Sequence, residues 1–243
     1  MGPYSAQRPQ RCPRRAAVIA DIGGGPGAYA LPLAAEGHRV HLLDPMPLHI
    51  EQARRSSRAM KDAALVSADV GDARDLPWPE ETIDIALLLG PLYHLTASED
   101  RLRALAETHR VLRPGGLLLA AAISRFASTY DGLARRFLAE PGFYEIVEQD
   151  VSDGQHRNPE RHPDWFTSAY FHHPTGLADE VRASGFDVEI LAVEGPAGWL
   201  GDLDWWLDKD DRRETLLTTI RRVEAEPSLL GASPHLLAVA HKP

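Results

Sequence analysis

Apolar runs and helical repeats alternate along the first half of the chain. The run from Ala16 to Ile22 ends in glycines and predicts a short buried strand. The segment from Gly27 to Gly37 predicts a helix closed by a glycine, although Pro32 removes one of its hydrogen bonds and favours a kink. The same pattern predicts strands at residues 39–43, 64–68, 83–89 and 117–123, a helix at 47–60, and a further helix that follows a capping box at 96–99.

Strands that are apolar along their whole length and alternate with helices are typical of a parallel sheet covered on both faces. Right-handed crossovers then restrict the order of the strands to a doubly wound α/β sheet. Sheets of this kind bind ligands beyond the carboxyl ends of their strands. We therefore expect the functional site at that edge of the sheet.

The second half of the chain has a different pattern. Residues 124–174 are rich in charged and aromatic side chains, where only ~2–6 residues are usual between a strand and a helix. A helix at 175–184, strands at 187–193 and 235–241, and a second insertion at 195–234 follow. We predict one domain over residues 1–243, with a ligand-binding core at 16–123 and helical cap or lid insertions at 124–174 and 195–234. Trp199, Trp205 and Trp206 are expected to pack inside the cap.

Composition narrows the class of protein. The chain has 243 residues, of which 44% are hydrophobic, and a net charge of −9, whereas a nucleic-acid binder needs a basic face. No apolar run approaches the ~20 residues that span a bilayer, and the basic N-terminus lacks the pattern of a signal peptide. Cys12 is the only cysteine, so an internal disulfide is impossible. We expect a cytoplasmic protein that binds neither membrane nor nucleic acid, and the sequence does not predict its oligomeric state.

The strongest motif is Asp21-Ile22-Gly23-Gly24-Gly25-Pro26-Gly27, which follows the first strand and opens the predicted helix. Glycines there allow a tight turn and close approach of a ligand to the backbone, and a helix start offers free amides to an anion. Asp44 lies at the end of the next strand, where a carboxylate can accept hydrogen bonds from a ribose diol.

Two ligands suit this arrangement: a nicotinamide or flavin dinucleotide, and S-adenosylmethionine (SAM). A carboxylate at Asp21, two residues before the glycines, would repel a pyrophosphate. SAM has no phosphate, and its methionine end carries an ammonium that Asp21 could attract. The motif therefore favours SAM.

These residues resemble the class I SAM-dependent methyltransferases, particularly the small-molecule branch known as methyltransferase type 11. The resemblance implies strand order 3-2-1-4-5-7-6 with strand seven antiparallel. It also implies that the glycine loop holds SAM, that the acid at the end of strand two binds the ribose hydroxyls, and that the third signature, residues 71–78, binds adenine through a side chain and a backbone amide. The implied SAM-binding residues are Asp21, Gly23, Gly25, Gly27, Asp44, Pro45, Asp72, Ala73, Leu89 and Gly90.

The segment after strand four in this family faces both SAM and acceptor, which here gives Tyr93 and His94 as candidate catalytic residues. Histidine can act as a base near neutral pH, but methyl transfer also proceeds by positioning alone, so His94 could merely shape the pocket. The motif Leu89-Gly90-Pro91-Leu92-Tyr93 is unlike that of methyltransferases acting on nucleic-acid amines. These features predict a small-molecule acceptor with an O, N or C nucleophile.

Four histidines in the first insertion, at positions 156, 162, 172 and 173, lie among aromatic residues, as expected of a lid over an aromatic acceptor or of a packed cap. Their spacing matches no metal-site pattern, so no metal is predicted. Only 15 residues precede the first strand, where the family usually has a helix that helps to cover SAM. A SAM-binding module without catalysis and, less favoured, a dinucleotide-dependent oxidoreductase are the alternative functions.

Overall fold

The computed structural model describes residues 16–60 and 63–243. The N-terminal segment, with Cys12 and its arginines, lies outside the described residues. The strands are β1 (Val18–Ile22), β2 (Arg39–Asp44), β3 (Ser67–Val70), β4 (Ile83–Leu88), β5 (Leu112–Ser124), β6 (Gln155–His156), β7 (Ala169–His172), β8 (Asp187–Ala192) and β9 (His235–His241). The helices are α1 (Ala30–Ala35), α2 (Pro47–Ala59), α3 (Pro91–His94), α4 (Ser98–Val111), α5 (Ala127–Ala134), α6 (Phe143–Asp153), α7 (Pro174–Ala183), α8 (Leu203–Leu207) and α9 (Asp210–Arg221).

The main sheet runs in the spatial order β3-β2-β1-β4-β5-β9-β8. Strands β1 to β5 pair in parallel, and β9 is antiparallel to both of its neighbours, β5 and β8. With β8 and β9 as the sixth and seventh strands of the sheet, this is the predicted order 3-2-1-4-5-7-6. The prediction of a doubly wound, mostly parallel sheet is confirmed.

Alternate residues of the strands enter two apolar clusters, one on each face of the sheet. In β1, Ile19 packs in the cluster with α1 and α2, whereas Ala20 and Ile22 pack in the cluster with α4 and α7. Leu42 and Leu43 divide in the same way in β2. Because side chains alternate between the faces of a strand, burial of both faces requires the continuous apolar runs seen in the sequence.

A short hairpin, β6–β7, extends the sheet at its carboxyl edge. Phe171 and His172 pair in parallel with Ile123 and Ser124 at the end of β5. Ile123 also pairs with His235 of β9, so the hairpin must lie on the β4 side of β5, beyond the end of β4. It therefore forms a wall next to α3, which directly follows β4.

The cap has a small apolar core of its own. Phe143, Ile146 and Val147 of α6 pack with Phe137 and Trp165. The prediction that the tryptophans at 199, 205 and 206 all pack inside the cap is wrong for Trp205, whose side chain is exposed. Its ring contacts Trp206 edge-on, with centroids 5.2 Å apart, and the Arg212 guanidinium, 4.0 Å from the ring centroid. Trp199, in contrast, donates a hydrogen bond from its indole nitrogen to Ala232 O.

Several predicted boundaries are wrong. Helix α1 begins at Ala30 rather than Gly27, so Pro32 falls in its first turn, where a missing amide hydrogen costs nothing, and no kink is needed. Strand β3 is shifted to Ser67–Val70 because pairing with β2 starts at Ser67.

Strand β5 begins at Leu112 rather than Leu117, and residues 113–116 interrupt its pairing with β4, which jumps from Leu112 to Leu117 between Ile83 and Ile85. The predicted capping box at 96–99 is absent: Ala97 precedes the first helical residue, Ser98, and no side chain caps the helix.

Candidate functional site

The glycine loop lies at the carboxyl end of β1, between β2 and α3. The backbone amide of Gly23 donates to Leu43 O over 2.7 Å, which ties the loop to β2. Gly23 has a φ of +70°, and a Cβ there would lie 2.6 Å from Pro91 Cγ at the start of α3. Only glycine fits this turn, since other residues rarely adopt such a φ and none has room for a side chain.

A cavity of about 400 Å³ opens beside this loop. It brings together most of the predicted cofactor residues, and both predicted catalytic residues, from the ends of β1, β2, β3 and β4. Asp21, Gly27 and Leu89 do not line it: Asp21 is buried beneath the loop, Gly27 faces Leu31, and Leu89 packs on the cluster of α1 and α2. The lining residues are Gly23, Gly25, Asp44, Pro45, Met46, His49, Gly71, Asp72, Ala73, Gly90, Pro91, Tyr93, His94 and Leu95.

Asp44 is almost fully buried at the end of β2 and already has three partners. Its Oδ2 accepts from the Gly25 amide over 2.8 Å, and its Oδ1 accepts from the Met46 amide over 2.9 Å. His49 Nδ1 lies 3.0 Å from the same Oδ1. A carboxylate has about four acceptor positions, so a diol would gain full access to Asp44 only if His49 moved aside. His49 was not predicted from the sequence; its place in the first turn of α2, five residues after Asp44, was the available signal.

Asp72 lines the opposite part of the cavity and pairs with Arg74. The Arg74 guanidinium donates from Nε to Oδ1 over 2.9 Å and from Nη2 to Oδ2 over 2.6 Å. These hydrogen bonds hold the pKa of Asp72 below its usual range, so the carboxylate stays ionised. Arg74 in turn pairs with Asp100, which fixes its orientation. The neighbouring Ala73 is buried in the cavity wall.

Asp21 is buried beneath the glycine loop, in contact with Gly24, where a Cβ would lie 2.4 Å from the carboxylate. Neither carboxylate oxygen makes a hydrogen bond. Burial raises the pKa of Asp21 to about 6; the nearby Ala30 backbone amide, which does not reach hydrogen-bond geometry, lowers it in part, and the charge of Asp44 raises it further. A buried carboxylate without a partner is costly, and such groups mark places where a ligand supplies what is missing.

Tyr93 and His94 stand side by side on α3, with ring centroids 4.7 Å apart. Burial lowers the pKa of His94, and the charge of Asp44 opposes this only in part, so the ring is neutral and able to accept a proton near pH 7. Burial raises the pKa of Tyr93, so its hydroxyl keeps its proton.

The position of α3 is fixed by Arg101, a fully buried residue of α4. Its Nη1 donates to the carbonyls of Leu95 and Thr96, which directly follow α3. Its other nitrogens donate to Glu180 of α7, with Nη2 2.6 Å from Oε1. Burial alone would raise the pKa of Glu180, but hydrogen bonds from His172 and Arg101 outweigh it and bring the pKa to about 2.

A second cavity, of about 320 Å³, lies beyond α3 under the cap. Phe166 separates it from the first: its ring stacks on His94 at 6.4 Å and meets Tyr93 edge-on at 6.3 Å between centroids. The sequence pattern does not predict that these residues line one cavity, since they come from distant segments of the chain. They are Ile123, Ala127, Ser128, Asp131, Phe143, His156, Trp165, Phe166, Phe171, Trp199, Pro234 and His235.

Of the four histidines of the first insertion, His156 alone lines this cavity. Its Nδ1 lies 2.8 Å from Asp150, which also accepts from the Ser128 hydroxyl, and its Nε2 lies 3.2 Å from Phe166 O. His156 therefore anchors the segment that carries Phe166. Within the described ranges, 16–60 and 63–243, no group of His, Cys, Asp and Glu is arranged to hold a metal ion. Nor does any helix in the same part of the chain have the length and apolarity to cross a membrane.

Comparison with known proteins finds a family match within the first half of the chain. Residues 19–116 match the family model described as a methyltransferase domain. A ubiquinone/menaquinone biosynthesis C-methyltransferase from a Ruegeria species is 30% identical over 51% of this chain and 49% of its own length. An S-adenosyl-L-methionine-dependent Diels-Alderase from Talaromyces variabilis is 28% identical over 56% of each chain. The chain thus spans about half the length of these curated relatives.

Solved structures extend the likeness to the whole fold. A SAM-dependent methyltransferase from Methanosarcina mazei superposes with a TM-score of 0.60 over 93% of this chain and 92% of its own, at 18% identity. At this identity the likeness concerns the fold alone, including the cap that the family model does not reach.

Proposed function

Because the chain belongs to the class I SAM-dependent methyltransferases, we propose that it transfers a methyl group from SAM to a small, largely apolar acceptor. The observation that carries this proposal is the pair of cavities that meet at α3 and Phe166. One cavity has the polar groups suited to SAM, and the other has the aromatic lining suited to an acceptor.

The residues of the first cavity fit SAM. Glycines at 23 and 25 leave room for the ligand against the backbone, and Asp44 and Asp72 offer carboxylates for the ribose hydroxyls and the adenine amino group. The unpartnered carboxylate of Asp21 is a counter-charge for the ammonium of the methionine end. When bound, SAM supplies an electrophilic methyl group on a sulfonium. A pyrophosphate would instead meet the negative charge of Asp21, which disfavours a dinucleotide.

The chain's own contribution to the reaction is to orient the acceptor and to take up a proton. Tyr93, His94 and Phe166 form the boundary between the cavities, so an acceptor in the second cavity must approach the first beside these rings. Positioning of this kind supplies much of the acceleration of a displacement reaction. Where the acceptor is a hydroxyl, the neutral His94 ring is placed to take its proton at a ring nitrogen.

Calorimetry with SAM, S-adenosylhomocysteine and NAD tests the cofactor assignment. We expect both SAM and S-adenosylhomocysteine to bind and NAD not to bind. Tight binding of NAD without binding of SAM would reject the proposal.

A second assay measures S-adenosylhomocysteine formed with a panel of aromatic phenols, amines and quinols. Accumulation that depends on the acceptor supports methyl transfer. Two outcomes contradict it: SAM binding without turnover across the panel indicates a binding module, and conversion of the acceptor without S-adenosylhomocysteine indicates chemistry like that named for the Diels-Alderase relative.

A further inference from the structure

The second cavity is aromatic on most sides and has one carboxylate in its wall. Phe143, Trp165, Phe166 and Trp199 present rings to it, and Asp131 lines it from α5. Ala127, Ser128 and Asp131 share one face of that helix, since residues one turn apart are neighbours on its surface. Among the described lining residues, Asp131 is the one that carries a carboxyl group.

Most of the other polar groups of the wall already have partners; the exception is the indole nitrogen of Trp165, which is buried and makes no hydrogen bond. The Ser128 hydroxyl donates to Asp150, and both ring nitrogens of His156 are engaged. Trp199 donates to Ala232 O. His235 Nδ1 lies 2.7 Å from Glu194, whose carboxylate raises the pKa of His235 and compensates its charge. What remains for a ligand is chiefly the carboxylate of Asp131.

Asp131 lacks a strong partner in the protein. Its closest cation is Arg135, one helical turn on, with Nη1 3.6 Å from Oδ2 and both side chains partly exposed. Pairs this exposed contribute little, and the Arg135 guanidinium also lies over the Phe137 ring, 4.4 Å from its centroid. Burial outweighs Arg135 and raises the pKa of Asp131. A second cation would therefore restore an interaction that the carboxylate lost when it left water.

We propose that this cavity binds a small aromatic molecule that carries a positively charged amine, with Asp131 as its counter-ion. The aromatic walls favour both the ring and the cation, since ammonium groups are attracted to the faces of Trp and Phe. The assignment of this molecule as the methyl acceptor rests on the proposed function. Because a protonated amine has no free electron pair, the ammonium is an anchor, and a different atom of the molecule receives the methyl group.

Direct binding tests the site without any reaction. Calorimetry compares 2-phenylethylamine with its neutral counterpart, 2-phenylethanol, on the protein without SAM. We expect the amine to bind at least ~10-fold more tightly, because a charge-assisted hydrogen bond to Asp131 adds to the shared burial of the ring. Asp131→Asn should remove this preference by weakening the amine ~10-fold and leaving the alcohol unchanged.

Asp153→Asn is the matched control. Asp153 also lies in the cap with an arginine four residues on, at 3.0 Å, but it does not line the cavity. This variant should keep the preference for the amine. Equal binding of the two probes to the unaltered protein, no binding of either, or a preference that survives in Asp131→Asn each overturns the inference.

The result also separates this inference from the proposed function. An amine preference that depends on Asp131, together with no S-adenosylhomocysteine formation with any acceptor, keeps the site and rejects methyl transfer. S-adenosylhomocysteine formed with neutral acceptors, together with no amine preference, keeps methyl transfer and rejects the amine site.

Discussion

The cavity at Asp44 and the cavity at Asp131 are built from the chain in different ways. The first is lined by short segments that follow β1, β2, β3 and β4, so the parallel sheet itself sets the distances between them. The second draws its residues from the end of β5, from α5 and α6, from the β6–β7 hairpin and its loop, from the turn at Trp199 and from the start of β9. The proposed cofactor side is therefore fixed by the sheet, whereas the proposed acceptor side depends on how the cap packs.

The two cavities also differ in charge. Carboxylates are prominent at the first: Asp44 and Asp72 line it, and Asp21 is buried beneath its glycine loop. Rings surround the second, with Asp131 as its exposed carboxylate. Substitutions in the cap can thus change the acceptor while leaving the cofactor contacts intact, which is how one fold serves many substrates. The predictions below test whether the two sides are separable, and where they are joined.

The largest effect is expected at Arg101, which links the segment after α3 to Glu180 of α7. Arg101→Met removes the cation that pairs with Glu180 and satisfies the carbonyls after α3. Breaking a buried ion pair on one side costs about 3–5 kcal/mol of the free energy of unfolding, which urea denaturation measures. Arg182→Met, which removes an exposed pair with Asp179 on the same helix α7, should leave the midpoint unchanged. Equal midpoints for both variants would mean that Arg101 does not hold the two sides together.

Asp21→Asn should make the protein without SAM more stable at pH 7. Burial raises the pKa of Asp21 to about 6, from about 3.8 when unfolded, so the folded state binds its proton more tightly than the unfolded state does. The free energy of unfolding then falls as the pH rises from about 4 to about 6, by up to about 3 kcal/mol. Asparagine does not ionise, so the variant should have a higher free energy of unfolding than the unaltered protein at pH 7 and no such advantage at pH 4.

Asp69→Asn is the control for that measurement. Asp69 lies on β3 with half of its side chain exposed and paired with Arg54, so its replacement should give no such pH-dependent gain. In the same experiments Asp21→Asn should weaken SAM binding, since the counter-charge for the ammonium is lost. The stability gain of Asp21→Asn over the unaltered protein should be larger at pH 7 than at pH 4. An equal gain at both pH values would refute the raised pKa of Asp21.

The same contrast explains what the sequence could predict. Asp21, the glycines and Asp44 lie within 24 residues, and their positions follow from where apolar strands end, so the hydrophobic pattern predicts the doubly wound sheet and the cofactor side. The full strand order is implied by the family resemblance. Phe166 and Asp131 are 35 residues apart and meet one cavity only through the packing of α5, α6 and the hairpin. The spacing of hydrophobic residues does not predict which residues of separate segments line the same cavity. The sequence pattern predicts the start of helix α1 three residues too early, because the loop's glycines turn the chain before Ala30.

His94→Ala tests whether α3 performs chemistry or only shapes the pocket. If the ring accepts a proton from a hydroxyl acceptor, turnover should fall ~100-fold or more, while SAM affinity stays nearly constant. The lowered pKa of His94 adds a second signature: the ring stays neutral below pH 6.5, so activity should persist to a lower pH than with an ordinary histidine. A raised KM for the acceptor with constant kcat would assign His94 to positioning.

Tyr93→Phe completes that test, because it removes a hydroxyl and keeps the ring beside Phe166. Full activity in both variants would move the chemistry away from α3 and towards the cap.

Asp44→Ala should weaken SAM binding and leave the second cavity unaffected. Charged hydrogen bonds contribute about 1.5–3 kcal/mol, so calorimetry should show the dissociation constant for SAM rising roughly 10- to 150-fold. Asp69→Ala, on the neighbouring strand but outside the cavity, is the control and should bind SAM normally. An unchanged dissociation constant in Asp44→Ala would refute the ribose assignment.

The affinity of Asp44→Ala for 2-phenylethylamine decides whether the two sides are separable. Asp44 has no contact with the cap cavity, since its partners are Gly25, Met46 and His49 of the cofactor side. An unchanged amine affinity is therefore expected beside the weakened SAM affinity. His49→Ala sharpens the result: if His49 occupies an acceptor position that the ribose needs, removing it should maintain or improve SAM binding. Loss of SAM affinity in His49→Ala would instead make His49 part of the cofactor site, with Asp44 holding it in place.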